Sequence, residues 1–110
     1  MIRILEGEGI SGVHLQSKII PDPTYLVSEN TPEFEVDGLS EDPPIVVEIT
    51  SILRDQFKIE KFLRKKQVLE EFHQVQFRGF FVASGSELSQ EDKADILLIL
   101  KQNNCELINL

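Results

Sequence analysis

An α/β fold, with a mixed β-sheet flanked by helices, is what the order of apolar patterns predicts for this chain. Three observations carry that expectation. The stretch "IVVEIT", residues 45–50, is β-branched almost throughout and predicts a central strand. A segment free of Gly and Pro, from about Gln56 to His73, predicts a long helix that follows this strand. A further strand, a second helix and a short final strand come after it. Strand–helix–strand, twice over, implies crossover connections and parallel pairing, whereas a hairpin ahead of them implies antiparallel pairing.

In chain order, "IRIL" and "GVHLQSKII" each suit a strand, with "EGEGISG" as a glycine-rich turn between them. The prolines of "PDPTY" interrupt any regular element. "FEVDGL" sets Phe34, Val36 and Leu39 against Glu35 and Asp37, the alternation of a half-buried strand ending at Gly38. "SEDPP" reads as a turn whose double proline stops pairing. In the long helix, Ile59, Phe62, Leu63 and Leu69 fall on one side and Phe57, Val68 and Phe72 on a second. Two apolar sides suggest burial on two fronts, such as a sheet and a partner subunit, hence a homodimer. "QFRGFFVASG" is apolar around Phe80, Phe81 and Val82, as in a strand buried on both faces, and Gly85 closes it. In the second helix Ser89 and Asp92 form a near capping box. Ile96, Leu97, Leu100 and Ala94 make its apolar stripe, and Asn103 and Asn104 are candidate terminators. "CELINL" is the last strand. There is no internal repeat and no low-complexity tract.

The 110 residues suit a single domain with a modest core. No apolar run approaches the roughly 20 residues that span a bilayer. The start "MIRILEGEGISG" lacks the features of a secretory signal, and Cys105 is the single cysteine. Both point to a cytoplasmic protein. The net charge of −8 argues against general nucleic-acid affinity. That charge is uneven. Residues 1–53 carry ten acids against Arg3 and Lys18, and residues 67–110 carry seven acids against three bases. Residues 54–66 reverse the sign, with Arg54, Lys58, Lys61, Arg64, Lys65 and Lys66 against Asp55 and Glu60. This cluster is either a solvated helix face or a local phosphate-binding surface.

Glu48 is the residue that asks for an explanation. Ile45, Val46, Val47, Ile49 and Ile52 surround it, and a lone buried carboxylate is costly unless a charge, a metal or hydrogen bonds compensate it. Asp37 closes the preceding strand, with the turn "SEDPP" between the two acids. If the two strands are neighbours, both carboxylates can lie on one face at one end of the sheet. Two such oxygen-rich side chains suit Mg²⁺ or Mn²⁺.

An acid on one strand, then an acid two positions before a lysine on the next, is the signature of the PD-(D/E)xK nuclease superfamily. This chain resembles it through "VDG", a turn and "VVEIT", then the helix containing "RKKQVLEEF", the strand "RGFFVASG", a helix and "CELINL". The resemblance covers about residues 34 to 110. It implies a restriction-endonuclease-like α/β/α core and metal-assisted hydrolysis of DNA phosphodiester bonds, with Asp37 and Glu48 as the metal-binding acids. Three features depart from the pattern. Thr50 stands where the lysine is expected, and a hydroxyl cannot supply that charge. The segment with Glu6 and Glu8 reads poorly as the N-terminal helix that often bears another metal-binding glutamate. The chain is also short for a complete enzyme of this type. In some members of the superfamily an active-site residue has migrated to the following helix. The resemblance makes Lys66 the candidate here, and Gln67 follows it 17 residues after Thr50. The aromatic partner expected after that glutamine is out of register, with Glu71 at the position and Phe72 one later.

Each of these residues also has an ordinary reading. Asp37–Gly38 is a common turn pair. Lys66 can pair with Glu70, four residues on. Cys105 suits a small buried hydrophobe, and neither His14 nor His73 has a metal-ligand partner at useful spacing. Three functions stay open on the sequence: a metal-dependent nuclease-like domain, the same fold serving without activity as a binding or assembly module, and a small α/β protein of unrelated function.

Overall fold

The computed structural model describes residues 15–109. The order is β1 (Gln16–Pro21), β2 (Glu33–Glu41), β3 (Pro44–Leu53), α1 (Phe57–His73), β4 (Arg78–Ser86), α2 (Gln90–Gln102) and β5 (Cys105–Asn109). The expected strand "IRIL", the turn "EGEGISG" and the residues Glu6, Glu8 and His14 lie outside the described residues.

The five strands form one sheet in sequence order. β1–β2 and β2–β3 are antiparallel, and β3–β4 and β4–β5 are parallel. The mixed sheet follows from the connections. A short turn can return a chain only antiparallel, while α1 and α2 each span a crossover to a parallel neighbour. The double proline does not stop pairing as expected: β2 and β3 stay in register up to Glu41↔Pro44. Asp42 and Pro43 make the turn between them, with a cis peptide. Pro44 opens β3, and the first residue of a strand is a position where proline is tolerated.

Both described helices pack on one face. Ile59, Phe62 and Leu69 of α1 and Ile96 and Leu100 of α2 share a core with Val36, Val46, Phe81 and Ala83 of the strands. The rings of Phe62 and Phe81 meet edge to face, 5.6 Å apart. Ile45, Val47, Phe80 and Val82 point to the opposite face and form a second cluster with Leu15 and Ile108. Among the described residues no helix covers that face, so the expected α/β/α layering is seen there on one side only.

The ends of the helices follow local chemistry. The Asp55 side chain accepts the N–H of Phe57 at 2.9 Å, and Ser89 Oγ accepts the N–H of Asp92 at 3.1 Å, the expected cap. Gln74, at φ 57°, ends α1 in the left-handed conformation. Two details of the expected apolar stripes change. Val68 belongs to the helix-side core, while Phe57 and Phe72 are exposed. Leu97 and Ala94 face outward, leaving Ile96 and Leu100 as the buried residues of α2. Among the described residues, no helix is long and apolar enough to cross a membrane.

Candidate functional site

The site lies where β2 and β3 part. Their pairing ends at Gly38↔Val47, one residue short of Asp37 on one strand and Glu48 on the other. The backbone N–H of Ile49 would otherwise lack a partner at this split. Asp37 Oδ2 accepts it at 2.7 Å, so the acid serves as a side-chain substitute for the missing ladder bond.

Glu48 stands on the helix side of β3, between Val46 and Thr50, opposite Phe81 of β4. Its carboxylate is met by Lys65 of α1. The Lys65 ammonium donates to Glu48 Oε1 at 2.9 Å, to Oε2 at 3.0 Å and to the Glu35 carbonyl at 2.8 Å. An ammonium has three N–H groups, and all three are used. Burial pushes the Glu48 carboxyl up from its ordinary value of 4.5, and the nearby Asp37 charge pushes the same way. The hydrogen bond and charge of Lys65, with the charge of Lys61, pull it back.

A second lysine reaches the strand two turns earlier in the helix. Lys58 Nζ donates to Thr50 Oγ1 at 2.7 Å. Thr50 occupies the position where the resemblance expects a lysine, and here an ammonium arrives at that position from the helix. Lys61 lies between Lys58 and Lys65 and has no hydrogen bond or ion pair among the described residues.

These groups border two recesses that meet at Glu48, Lys61 and Lys65. The first, of about 200 Å³, is lined by Glu48, Thr50, Lys58, Lys61 and Lys65, with Phe62 and Phe81 as apolar wall. The second, of about 490 Å³, is lined by Glu33, Glu35, Asp37 and Glu48, with Lys61 and Lys65 as its basic residues. One recess is therefore mostly cationic and the other mostly anionic.

Asp37 and Glu48 thus share a cleft and sense each other's charge. Lys66 and Gln67 are elsewhere. Lys66 Nζ pairs with Glu70 Oε2 at 3.0 Å, and that oxygen also accepts the N–H of Phe77 at 2.8 Å. Gln67 is exposed and reaches Glu71 at 3.4 Å. Helical geometry explains the difference. At about 100° per residue, Lys65 lies within about 20° of Lys58 on the helix, while Lys66 is rotated by about 80°. The spacing of Lys58, Lys61 and Lys65, at i, i+3 and i+7, is the signal in the sequence that marks one face. His73 lies outside the site, where its ring meets Phe72 edge to face and Phe77 at a tilt.

Among the described residues no three His, Cys, Asp or Glu side chains converge on a common metal position. Asp37 and Glu48 supply a set of two carboxylates. That is the number Mg²⁺ takes when water and substrate phosphates fill its other positions. The donor chemistry fits, on condition that Lys65 yields Glu48. Comparison with models of protein families, with curated proteins and with solved structures gave no match.

Proposed function

We propose that this chain is a nuclease-like domain that hydrolyses DNA phosphodiester bonds with the help of a divalent metal ion. The observation that carries the reading is the ammonium of Lys58, 2.7 Å from the hydroxyl of Thr50. Thr50 removes the charge that the PD-(D/E)xK pattern needs on β3, and α1 supplies one at the same point. Asp37 and Glu48 would hold Mg²⁺ or Mn²⁺, which when bound lowers the pKa of a water ligand and offsets phosphate charge. The chain's own residues do the rest. Asp37 fixes β3 through Ile49 where it parts from β2, Lys65 orients Glu48, and Lys58 and Lys61 face negative charge developing on a phosphate. The exposed Phe57 and Phe72 support contact with a second copy of the chain, and the single buried Cys105 supports a cytoplasmic setting.

The test is cleavage of plasmid or branched DNA. Cleavage is expected with Mg²⁺ or Mn²⁺ and is expected to vanish in Asp37→Ala and Glu48→Ala variants whose circular dichroism is unchanged. A second reading, the same fold acting only as a binding module, is favoured by one contact: Lys65 already occupies both oxygens of Glu48. Metal-independent DNA binding by a folded protein that never cleaves would select it.

A further inference from the structure

The hydrolysis reading uses Lys58 and Lys61 only as cations facing a phosphate, and the charge count of the smaller recess says which phosphate. Four ionisable residues line it: Glu48, Lys58, Lys61 and Lys65. Glu48 and Lys65 compensate each other directly. Two ammonium groups are left, and their free hydrogen-bonding capacity can be counted. Lys58 uses one N–H on Thr50, which leaves it two. Lys61 has all three available among the described residues. The Thr50 hydroxyl accepts from Lys58, so its own proton is free to be donated. Thr50 is itself buried, which holds the hydroxyl at the floor of the recess.

Such a seat is complementary to a small dianion with several acceptor oxygens. A phosphomonoester carries about −1.5 to −2 at pH 7 and three strong acceptors. A backbone phosphodiester carries only one negative charge, so it would leave one ammonium uncompensated. At about 200 Å³ the recess has room for a phosphate group, and it opens at Glu48, Lys61 and Lys65 into the larger recess, which leaves room for the rest of a strand.

We propose that Thr50, Lys58 and Lys61 form a seat for a terminal phosphomonoester, so that the preferred substrate class is a nucleic-acid strand with a phosphorylated end. The choice of a strand as the source of the phosphate rests on the nuclease-like reading, whereas the seat itself rests on the three side chains.

The experiment measures fluorescence anisotropy in EDTA, so that no hydrolysis and no metal enter the result. The probes are a short single-stranded oligonucleotide with a 5′-phosphate, one with a 3′-phosphate and one with both ends hydroxylated. Inorganic phosphate is the competitor. A phosphorylated probe should bind about tenfold more tightly than the hydroxylated one, as expected for one or two charge-assisted hydrogen bonds, and inorganic phosphate should remove the advantage. Lys58→Gln, Lys61→Gln and Thr50→Val should each reduce it, and the double lysine variant should abolish it. Lys93→Gln, an exposed lysine of α2, should leave it unchanged. Lys58 is exposed and Lys61 half-buried, so these variants test the seat even if Thr50→Val were to fold poorly. Equal affinity for all probes overturns the proposal, as does an advantage that survives in the double lysine variant. Binding of inorganic phosphate without any preference among the probes overturns the assignment to strand ends. A protein that never cleaves DNA would leave all these results standing, so the two readings fail separately.

Discussion

Replacing Lys65 with methionine removes the ammonium while keeping most of the stem that packs against the core. The ammonium makes two charge-assisted bonds to Glu48 and one to the Glu35 carbonyl. Removing one partner of a buried ion pair costs about 3–5 kcal/mol, because the other charge is left uncompensated. The side chain of Glu48 keeps 20% of its exposure, so water can reach the orphaned carboxylate and the loss moves below that range. We expect about 2–3 kcal/mol at pH 7, or a fall in Tm of about 10 °C for a domain of this size.

The pH dependence gives this prediction its sign. Burial already raises the Glu48 carboxyl above 4.5, and Lys65 opposes that rise. Without Lys65 it rises further. Between the unfolded value and the raised folded value, the folded state binds more protons than the unfolded one. Stability of Lys65→Met should therefore fall as pH rises through that window and recover on acidification, when Glu48 is neutral. Urea denaturation at pH 4.5 and pH 7, with the wild type alongside, measures both. An equal loss at the two pH values, or a loss below about 0.5 kcal/mol at pH 7, would refute the reasoning, because the pair would then not be compensating a desolvated charge. The same variant tests the metal reading. With its ammonium gone, Glu48 is free for a cation, so Mn²⁺ should raise the Tm of Lys65→Met more than that of the wild type.

Glu70→Gln should cost about 2 kcal/mol in urea denaturation, since Lys66 loses its buried charge partner, and should leave phosphate binding unchanged. Gly79→Ala should cost about 1–3 kcal/mol by overpacking. A Cβ there would lie 2.5 Å from Cys105 Sγ and 3.1 Å from Phe62 Cζ, and Cys105→Ala in the same chain should recover part of the loss. Burial pushes the Cys105 thiol up to about 11, so a thiol reagent at pH 8 should modify it only at the rate of unfolding. Labelling as fast as that of the denatured chain would contradict that burial.

Much of the fold was legible because its signals are local. The β-branched run of β3, the unbroken helix pattern of α1 and the Ser89 cap each act over a few residues; α1 and the cap appear within a residue of their expected positions, and β3 runs three residues beyond Thr50. The site was legible only in part, because its chemistry depends on orientation. Asp37 was expected either as a turn residue or as a metal ligand. What the sequence did not show is that its Oδ2 takes the Ile49 N–H, a need that arises only where two strands separate. Glu48 was expected to require a compensating partner, and it has one, but the partner is Lys65. In a run of adjacent lysines, a rotation of one residue decides which ammonium meets the strand and which meets Glu70. An apolar helix wheel alone does not resolve that choice, because the long stem of either lysine can cover the core. The spacing of Lys58, Lys61 and Lys65 does resolve it once Glu48 and Thr50 are known to share one face of β3.

Positive charge carried by the helix, with Thr50 on the strand, sets what the site can hold. A lysine at position 50 would lie two residues from Glu48 along one strand, about 7 Å away, and would present a single ammonium. The helix instead spreads three ammonium groups from Lys58 to Lys65, over about 10 Å of its axis. One end of that row faces Thr50, and the other closes on Glu48 beside Glu33, Glu35 and Asp37. The cleft is therefore polarised along its length, anionic near the strand split and cationic near the start of α1. A lone anion would be repelled from the first end and a lone cation from the second. A phosphate with a cation beside it satisfies both, and Lys65 is the group that must move to admit the pair, because it already holds the place of the cation on Glu48.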